Sequence, residues 1–295
     1  MDYTSIEFYN GDTIITGIRH FDLAQILDCG QAFRWSIQDC HCGLDPQSFL
    51  FTGIAHGRRL NLEISDDTLV LKNVTLAEFE TTWKNYLDLE RDYSHLRKMF
   101  DVDANLKKAL EFSPGLRLMR QDAWEILISF ILSQNSNIPR IKKMITLLCE
   151  NFGQVLPCGG YAFPTPDALA RLEESDLEPI RTGYRAPYII DAARRVANGT
   201  LDLAALHTQS TCRVRNELLT VHGVGPKVAE CVLLFGFGRI ECFPLDVWMK
   251  RVMADMYPDG FPAGLAEYAG IAQQFLFHYA RNGKTELLKH SIHNI

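Results

Sequence analysis

Lys227 and Asp246 are the two side chains of this chain whose type and setting could break a covalent bond. A lysine attacks an electrophilic carbon only as the neutral amine, and a free lysine is almost wholly ammonium at neutral pH. Apolar neighbours at Val224, Val228 and Cys231, together with an adjacent helix N-terminus, favour the uncharged form. Asp246 stands in Phe243-Pro244-Leu245-Asp246-Val247-Trp248-Met249-Lys250-Arg251, one helix and one loop further along, and so could return to the same cleft. A fixed carboxylate there would stabilise the positive charge that builds on a sugar as its bond to a base breaks. Both residues also admit plainer readings. Lys227 could be a surface lysine that meets phosphate, and Asp246 the N-cap of the helix after it. A cap is rigidly held, so the two roles of Asp246 are compatible.

The segment that carries Lys227 reads Leu218-Leu219-Thr220-Val221-His222-Gly223-Val224-Gly225-Pro226-Lys227-Val228. One helix ends before Gly223 and another opens at Pro226, a residue favoured at the first helical position. Glycines on either side of Val224 permit backbone that a β-carbon would obstruct, so amide N–H groups can point outward at a helix N-terminus. Such an array suits a phosphate. This is the helix–hairpin–helix pattern of DNA binding without sequence preference, although an ordinary interhelical turn can also carry G-x-G.

The elements that must position these groups fall into two regimes. Residues up to about 75 read as an antiparallel sheet with one buried face: Phe33, Trp35 and Ile37 alternate with polar partners, as do Leu60, Leu62 and Ile64, and Ser65-Asp66-Asp67 turns the chain before Leu69-Val70-Leu71. A short helix over 21–27 ends at Gly30, and 41–48 reads as a hairpin loop. From Thr75 the period changes. Thr75 and Glu78 fit a capping box, and Leu76, Phe79, Trp83, Tyr86 and Leu87 follow at helical spacing. Most of the remainder is helical.

The chain's 295 residues, 47% hydrophobic and 22% charged, fit a globular protein of one large or two modest domains. No apolar run is long enough for a bilayer, and Asp2, Glu7, Asp12 and Asp22 interrupt what would be a signal peptide, so an intracellular location is expected, cytoplasmic (nucleoid) if the source is bacterial. The eight cysteines are scattered, which argues against a disulfide framework. Cys40-His41-Cys42 lacks the usual zinc spacing and a second pair, so no metal site is expected. A net charge of −6 argues against indiscriminate coating of nucleic acid and leaves room for a local basic face. Candidates are Arg140, Lys142 and Lys143, then Arg194 and Arg195, then Lys250 and Arg251.

With Lys227 and Asp246 in this order, the chain resembles the 8-oxoguanine DNA glycosylase family of helix–hairpin–helix glycosylases over roughly residues 11–281. Gly30-Gln31-Ala32-Phe33-Arg34-Trp35 is similar to the family's G-Q-x-F-R-W. Arg120-Gln121-Asp122 and Ser133-Gln134-Asn135-Ser136-Asn137-Ile138 resemble the helix and loop that bear its DNA-inserting asparagine, and Gly183-Tyr184-Arg185-Ala186 a second insertion loop.

The resemblance implies an α+β protein: an N-terminal TBP-like antiparallel β domain over 1–115 and a larger all-α helix–hairpin–helix glycosylase domain over 116–282, with the motif at about 212–238 and a tail of unknown role at 283–295. It implies base excision repair by a bifunctional DNA glycosylase and AP lyase acting as a monomer on double-stranded DNA that contains oxidised guanine. Lys227 would attack C1′ and form a Schiff base, with β-elimination following, while Asp246 stabilises the transition state. The Gly30 carbonyl would accept the N7–H that oxidised guanine has and guanine lacks, a swing of about 1–3 kcal/mol for one unsatisfied group. Read from the residues alone, Gly30 is a helix C-cap. Cys231 and Phe277 would sandwich the flipped base and Gln273 would read its Watson–Crick edge. Without the family, Cys231 is a buried helix residue, and Gln273 and Phe277 merely share a helical face. Asn135 would fill the vacated stack, Tyr184 wedge it, and Arg140 and Arg185 hold the orphaned cytosine, giving a preference for cytosine opposite the lesion. Gly223 and Gly225 would hold the DNA backbone. No cofactor is implied beyond a structural monovalent cation at the hairpin, and no four-cysteine loop follows that could carry an iron–sulfur cluster.

The departures are local. Trp248 stands where the family's animal members carry a histidine, which puts a phosphate- or nucleophile-orienting contact in doubt; Ser136 replaces a second asparagine; Pro139 enters the next helical turn; and 285–295 has no counterpart. Rival readings are an alkylpurine glycosylase of the same fold, which uses water and has no lysine at this position, and a non-catalytic damage-binding module that keeps the hairpin. An enzyme of free nucleosides fits poorly with the hairpin and the insertion loops.

Overall fold

A computed structural model describes residues 1–39 and 49–283. The Cys40-His41-Cys42 run, the loop expected at 41–48 and the tail from 284 onward lie outside the described residues. Six strands, β1 (Ser5–Tyr9), β2 (Asp12–Thr16), β3 (Trp35–Asp39), β4 (Phe49–Ala55), β5 (Arg58–Ser65) and β6 (Thr68–Lys72), form one sheet in the order β1-β2-β6-β5-β4-β3, antiparallel throughout. Two-residue turns at Asn10-Gly11, His56-Gly57 and Asp66-Asp67 build its described hairpins. Asn10-Gly11 has φ of 51° and 88°, and His56-Gly57 has 50° and 69°. Paired positive φ values match the right-handed twist of the flanking strands.

The strand alternation buries Leu60, Leu62, Leu69 and Leu71 completely. Over this face lie the helix Leu23–Asp28 and the aromatics Phe79, Trp83 and Tyr86. That helix starts two residues later than the expected 21, because Asp22 caps it by accepting from Gln25 N at 3.1 Å. Ile37 breaks the expected pattern: it is 55% exposed, on an edge strand. The Thr75–Glu78 capping box forms in both directions, yet the helix passes at once into a π-helical turn over Phe79–Trp83, and Leu76 is exposed rather than packed.

The apolar interior divides into two cores, with Leu89 in the first and Tyr93 in the second. Tyr93, Leu96, Phe100, Leu106, Ala109 and Leu110 join the second core, as do Cys29 and Phe33 from the sheet region, so the two cores interlock across the chain. Buried polar groups sew the two parts together. Gln31, fully buried, donates to the carbonyls of Ile26 and Arg117 and accepts from Met119 N. Arg117 pairs with Asp2 at 2.9 Å, both 1% exposed. The described cysteines are free thiols.

Candidate active site and nucleic-acid interface

The helix Pro226–Phe235 opens on an N-cap, Gly225, that has no side chain to offer, and Pro226 fills its first turn. Lys227 is half-buried, and its Nζ lies 3.4 Å from Ser133 Oγ and 4.9 Å from the centroid of the Phe130 ring. Ser133 Oγ donates its own proton to Phe130 O at 2.8 Å, so toward the lysine it can only accept. Asp246 is the N-cap of Val247–Met256, its Oδ1 accepting from Met249 N at 2.8 Å. The cap engages one carboxylate oxygen of two. Lys227 and Asp246 line the same cavity, of about 780 Å³. Burial pushes the Cys231 thiol up to about 11, with the lysine's charge opposing that rise and the aspartate's adding to it. Both charges thus act on one thiol at the cavity wall.

Gly30, Cys231, Gln273 and Phe277 line this cavity too. Gly30 follows the helix C-cap Cys29 with φ +75°, so the plain reading as the residue after a helix end holds. A β-carbon there would lie 3.3 Å from Ile138 Cδ1 and 3.5 Å from Phe277 Cε1. The glycine therefore lets the Phe277 ring come close to the backbone that forms this wall. Gln273 is buried and donates from Nε2 to Pro244 O at 3.3 Å.

The second group of expected contacts sits at the rim. Asn135 has φ +46°, and its Nδ2 donates to Tyr184 Oη at 2.9 Å, so the two insertion residues are already paired. Gln134 Nε2 donates to Gly223 O at 3.0 Å and ties this turn to the hairpin. Asn137 caps the helix Ile138–Phe152, accepting from Arg140 N at 3.0 Å. Pro139 lies in that helix's first turn, where its missing N–H removes nothing, and Arg140 stands exposed beside it. Gly223 has φ +78° and faces the Tyr188 ring, whereas Gly225 is extended with open space where a β-carbon would be. Val224 between them is buried and anchors the turn.

Family models match both parts of the chain: the 8-oxoguanine DNA glycosylase N-terminal domain over residues 13–127, and the HhH-GPD superfamily base excision DNA repair protein over 128–260. A probable N-glycosylase/DNA lyase of Methanothermobacter thermautotrophicus is 33% identical over 227 residues, 66% of this chain and 71% of that one. The chain belongs to the 8-oxoguanine DNA glycosylase family. An N-glycosylase/DNA lyase of Saccharomyces cerevisiae is 37% identical over 261 residues, covering 78% of this chain and 66% of the yeast protein. The structure of the Clostridium acetobutylicum 8-oxoguanine glycosylase/lyase, solved with duplex DNA containing cytosine opposite 8-oxoguanine, is 37% identical with a TM-score of 0.87, over 96% of this chain and all of that one. A 3-methyladenine DNA glycosylase of Archaeoglobus fulgidus, 21% identical with a TM-score of 0.64, shares the fold.

Within the glycosylase family's expected set, Arg185 departs from its part. It is 2% exposed, and its guanidinium donates to the carbonyls of Gln134, Asn135 and Thr182. It therefore builds the turn that presents Asn135 and does not stand out toward a base. Trp248, at the cavity mouth, stacks with Arg251 at 5.5 Å, so packing occupies the place where a histidine was missed. Arg194 and Arg195 form no free basic patch, being paired with Glu173 and Asp191. Sequence reading did not single out Ser133, Phe130 or Gln274. Ser133 opens the Ser-Gln-Asn run and could have been noticed there. The contact of Phe130 with a lysine so far along the chain leaves no local signal. Among the described residues, no helix is long and apolar enough to cross a membrane.

Proposed function

We propose that this protein flips 8-oxoguanine and related oxidised purines out of duplex DNA, releases the base, and then cuts the strand. The observation that carries this reading is the placement of Lys227 Nζ beside Ser133 Oγ and over Phe130, on the wall of the cavity that Asp246 also lines. A lysine that served only to meet phosphate would reach outward instead.

The extruded base enters between Cys231 and Phe277. Its N7–H meets the Gly30 carbonyl, and its Watson–Crick edge meets Gln273. The Lys227 lone pair attacks C1′ as the C1′–N9 bond breaks, and the bond pair leaves with the base, which takes up a proton. Asp246 stabilises the positive charge on the sugar meanwhile. Ring opening gives a Schiff base, and loss of a C2′ proton expels the 3′ phosphate. Asn135 and Tyr184 occupy the vacated stack, and Arg140 is the arginine exposed to hold the orphaned cytosine. The chemistry draws on an amine and a carboxylate, with no redox or metal step. A monovalent cation at the hairpin fits this reading, because Val221 O and Gly223 O each accept one hydrogen bond and keep a second lone pair. Such an ion would brace the turn. The protein acts as a monomer inside the cell, where the duplex is.

Borohydride reduction tests the route. Added during reaction with an 8-oxoguanine:cytosine duplex, it is expected to trap a covalent complex, and Lys227→Gln to abolish trapping. Asp246→Asn should bind the duplex normally and release base at least about a hundredfold more slowly. Base release by wild type without any trapped species would refute the Schiff-base route.

A further inference from the structure

The helix Ala186–Ala197 follows directly on the turn Gly183–Arg185 that carries Tyr184, and it sends two side chains back to the hairpin. Tyr184, Tyr188 and Asp191 succeed one another at helical spacing, on one face. The Tyr188 ring meets the Tyr184 ring at 6.0 Å and the His222 ring at 4.6 Å, edge to face in both cases, and it lies against Gly223. Asp191 Oδ2 accepts from His222 N at 3.0 Å and from Arg195 Nε at 2.9 Å. From the other side, Gln134 Nε2 donates to Gly223 O. The hairpin is thus held between the turn of Asn135 and the helix behind Tyr184.

The two contacts on the helix side differ in kind. Ring packing tolerates a small slide, whereas a hydrogen bond to an amide N–H is directional and fixes a backbone atom. That atom, His222 N, stands one residue before Gly223, whose left-handed backbone shapes the turn. A carboxylate beside a phosphate site needs a reason, because its charge would repel the ligand. Arg195 answers the repulsion by pairing with it. What remains is an ionised acceptor, a stronger partner for an amide N–H than a neutral one.

We propose that Asp191 is a positioning residue that fastens the hairpin to the helix behind Tyr184, so that the DNA backbone is gripped at a set distance from the wedge. The proposal rests on the reading of the hairpin as the phosphate site and of Tyr184 as the residue that enters the stack. A hairpin that slides carries the bound phosphate with it, and the wedge then meets the base pair out of line. Misplacement of this sort slows a reaction far from where the change was made. The hairpin amides still point outward, so binding survives while opening of the pair slows.

Asp191→Ala and Asp191→Asn remove the same charge, but only asparagine keeps an oxygen where Oδ2 stands. Both groups on that oxygen, His222 N and Arg195 Nε, are donors, so the carboxamide cannot turn over without losing both bonds. Alanine favours a helix interior, which keeps the fold. Single-turnover release of 8-oxoguanine from a duplex with cytosine opposite is expected to slow about fivefold in Asp191→Ala and to stay within about twofold of wild type in Asp191→Asn. Duplex affinity should be the same in the two. A second measurement ties the effect to the wedge. In a Tyr184→Ala background, the further change Asp191→Ala is expected to cost less than about twofold, because no wedge is left to align. Equal rates in the alanine and asparagine variants, or effects of Asp191→Ala and Tyr184→Ala that multiply independently, overturn the inference. Wild-type protein that fails to release 8-oxoguanine overturns the functional reading beneath it.

Discussion

Ser133 decides how Lys227 is presented. Its proton goes to Phe130 O, which leaves oxygen lone pairs for an N–H of the lysine and turns the nitrogen's own lone pair elsewhere. The Phe130 face beneath attracts the ammonium and would let the neutral amine go more easily. Ser133→Ala removes the acceptor and leaves the amine free to rotate. Single-turnover base release by this variant is expected to fall about tenfold, the scale of one hydrogen bond and the orientation it confers. Duplex affinity should stay within about twofold, because the hydroxyl faces the amine and not the phosphates. An affinity loss as large as the rate loss would show that Ser133 shapes the binding surface instead. Arg185 offers the contrast at this scale. Its donors are already engaged by the carbonyls of Gln134, Thr182 and Asn135, so it holds the Asn135 turn in place.

At the scale of elements, the two hairpin glycines look alike in sequence and differ in what they do. Gly223 has φ +78°, and a β-carbon there would come within 2.2 Å of the Tyr188 ring. Gly223→Ala is therefore expected to destabilise the protein by about 2–4 kcal/mol, from the left-handed backbone and the ring together. Gly225 is extended, with φ −93°, and has nothing within 4 Å of the added carbon. Gly225→Ala should leave thermal stability within about 1 kcal/mol and yet weaken duplex binding, since the methyl would fill the approach of a phosphate to the helix N-terminus. Wild-type affinity in that variant would remove the hairpin from the interface. What was legible in the sequence follows range. The Thr75 capping box and the Asp246 cap join residues three apart, and the pleat of β5 and β6 repeats every second residue, so local pattern exposes them. The contact of Lys227 with Ser133 spans 94 residues and that of Arg185 with Gln134 spans 51, and only the packing of the helical core brings them together. The same holds for the boundary between cores. The side chains of Tyr93, Leu96, Phe100, Leu106, Ala109 and Leu110 reach the second core through the surface they meet, which composition does not reveal.

Across the whole molecule, a net charge of −6 means that the long-range field repels a duplex, so attraction must come from a few cations near the cavity mouth. Pairing narrows the candidates. Arg194 and Arg195 are tied to acidic partners, and Lys142 is half-buried with its Nζ 3.5 Å from Trp35 O. Arg140, Lys143, Lys250 and Arg251 remain exposed, on the opening turns of the two helices whose N-termini flank the site. If three of them meet phosphates and Arg140 meets the orphaned base, the slope of log affinity against log salt should be near −3, at roughly 0.9 per phosphate. Lys250→Ala should then reduce the slope by about one and leave the ranking of opposite bases unchanged. Arg140→Ala should keep the slope and flatten the preference for cytosine. The two variants therefore separate contacts that position the duplex from the one that reads it. A pair that behaved identically, with both losing slope and neither altering the opposite-base ranking, would make Arg140 one more phosphate contact and move the choice of cytosine to another group.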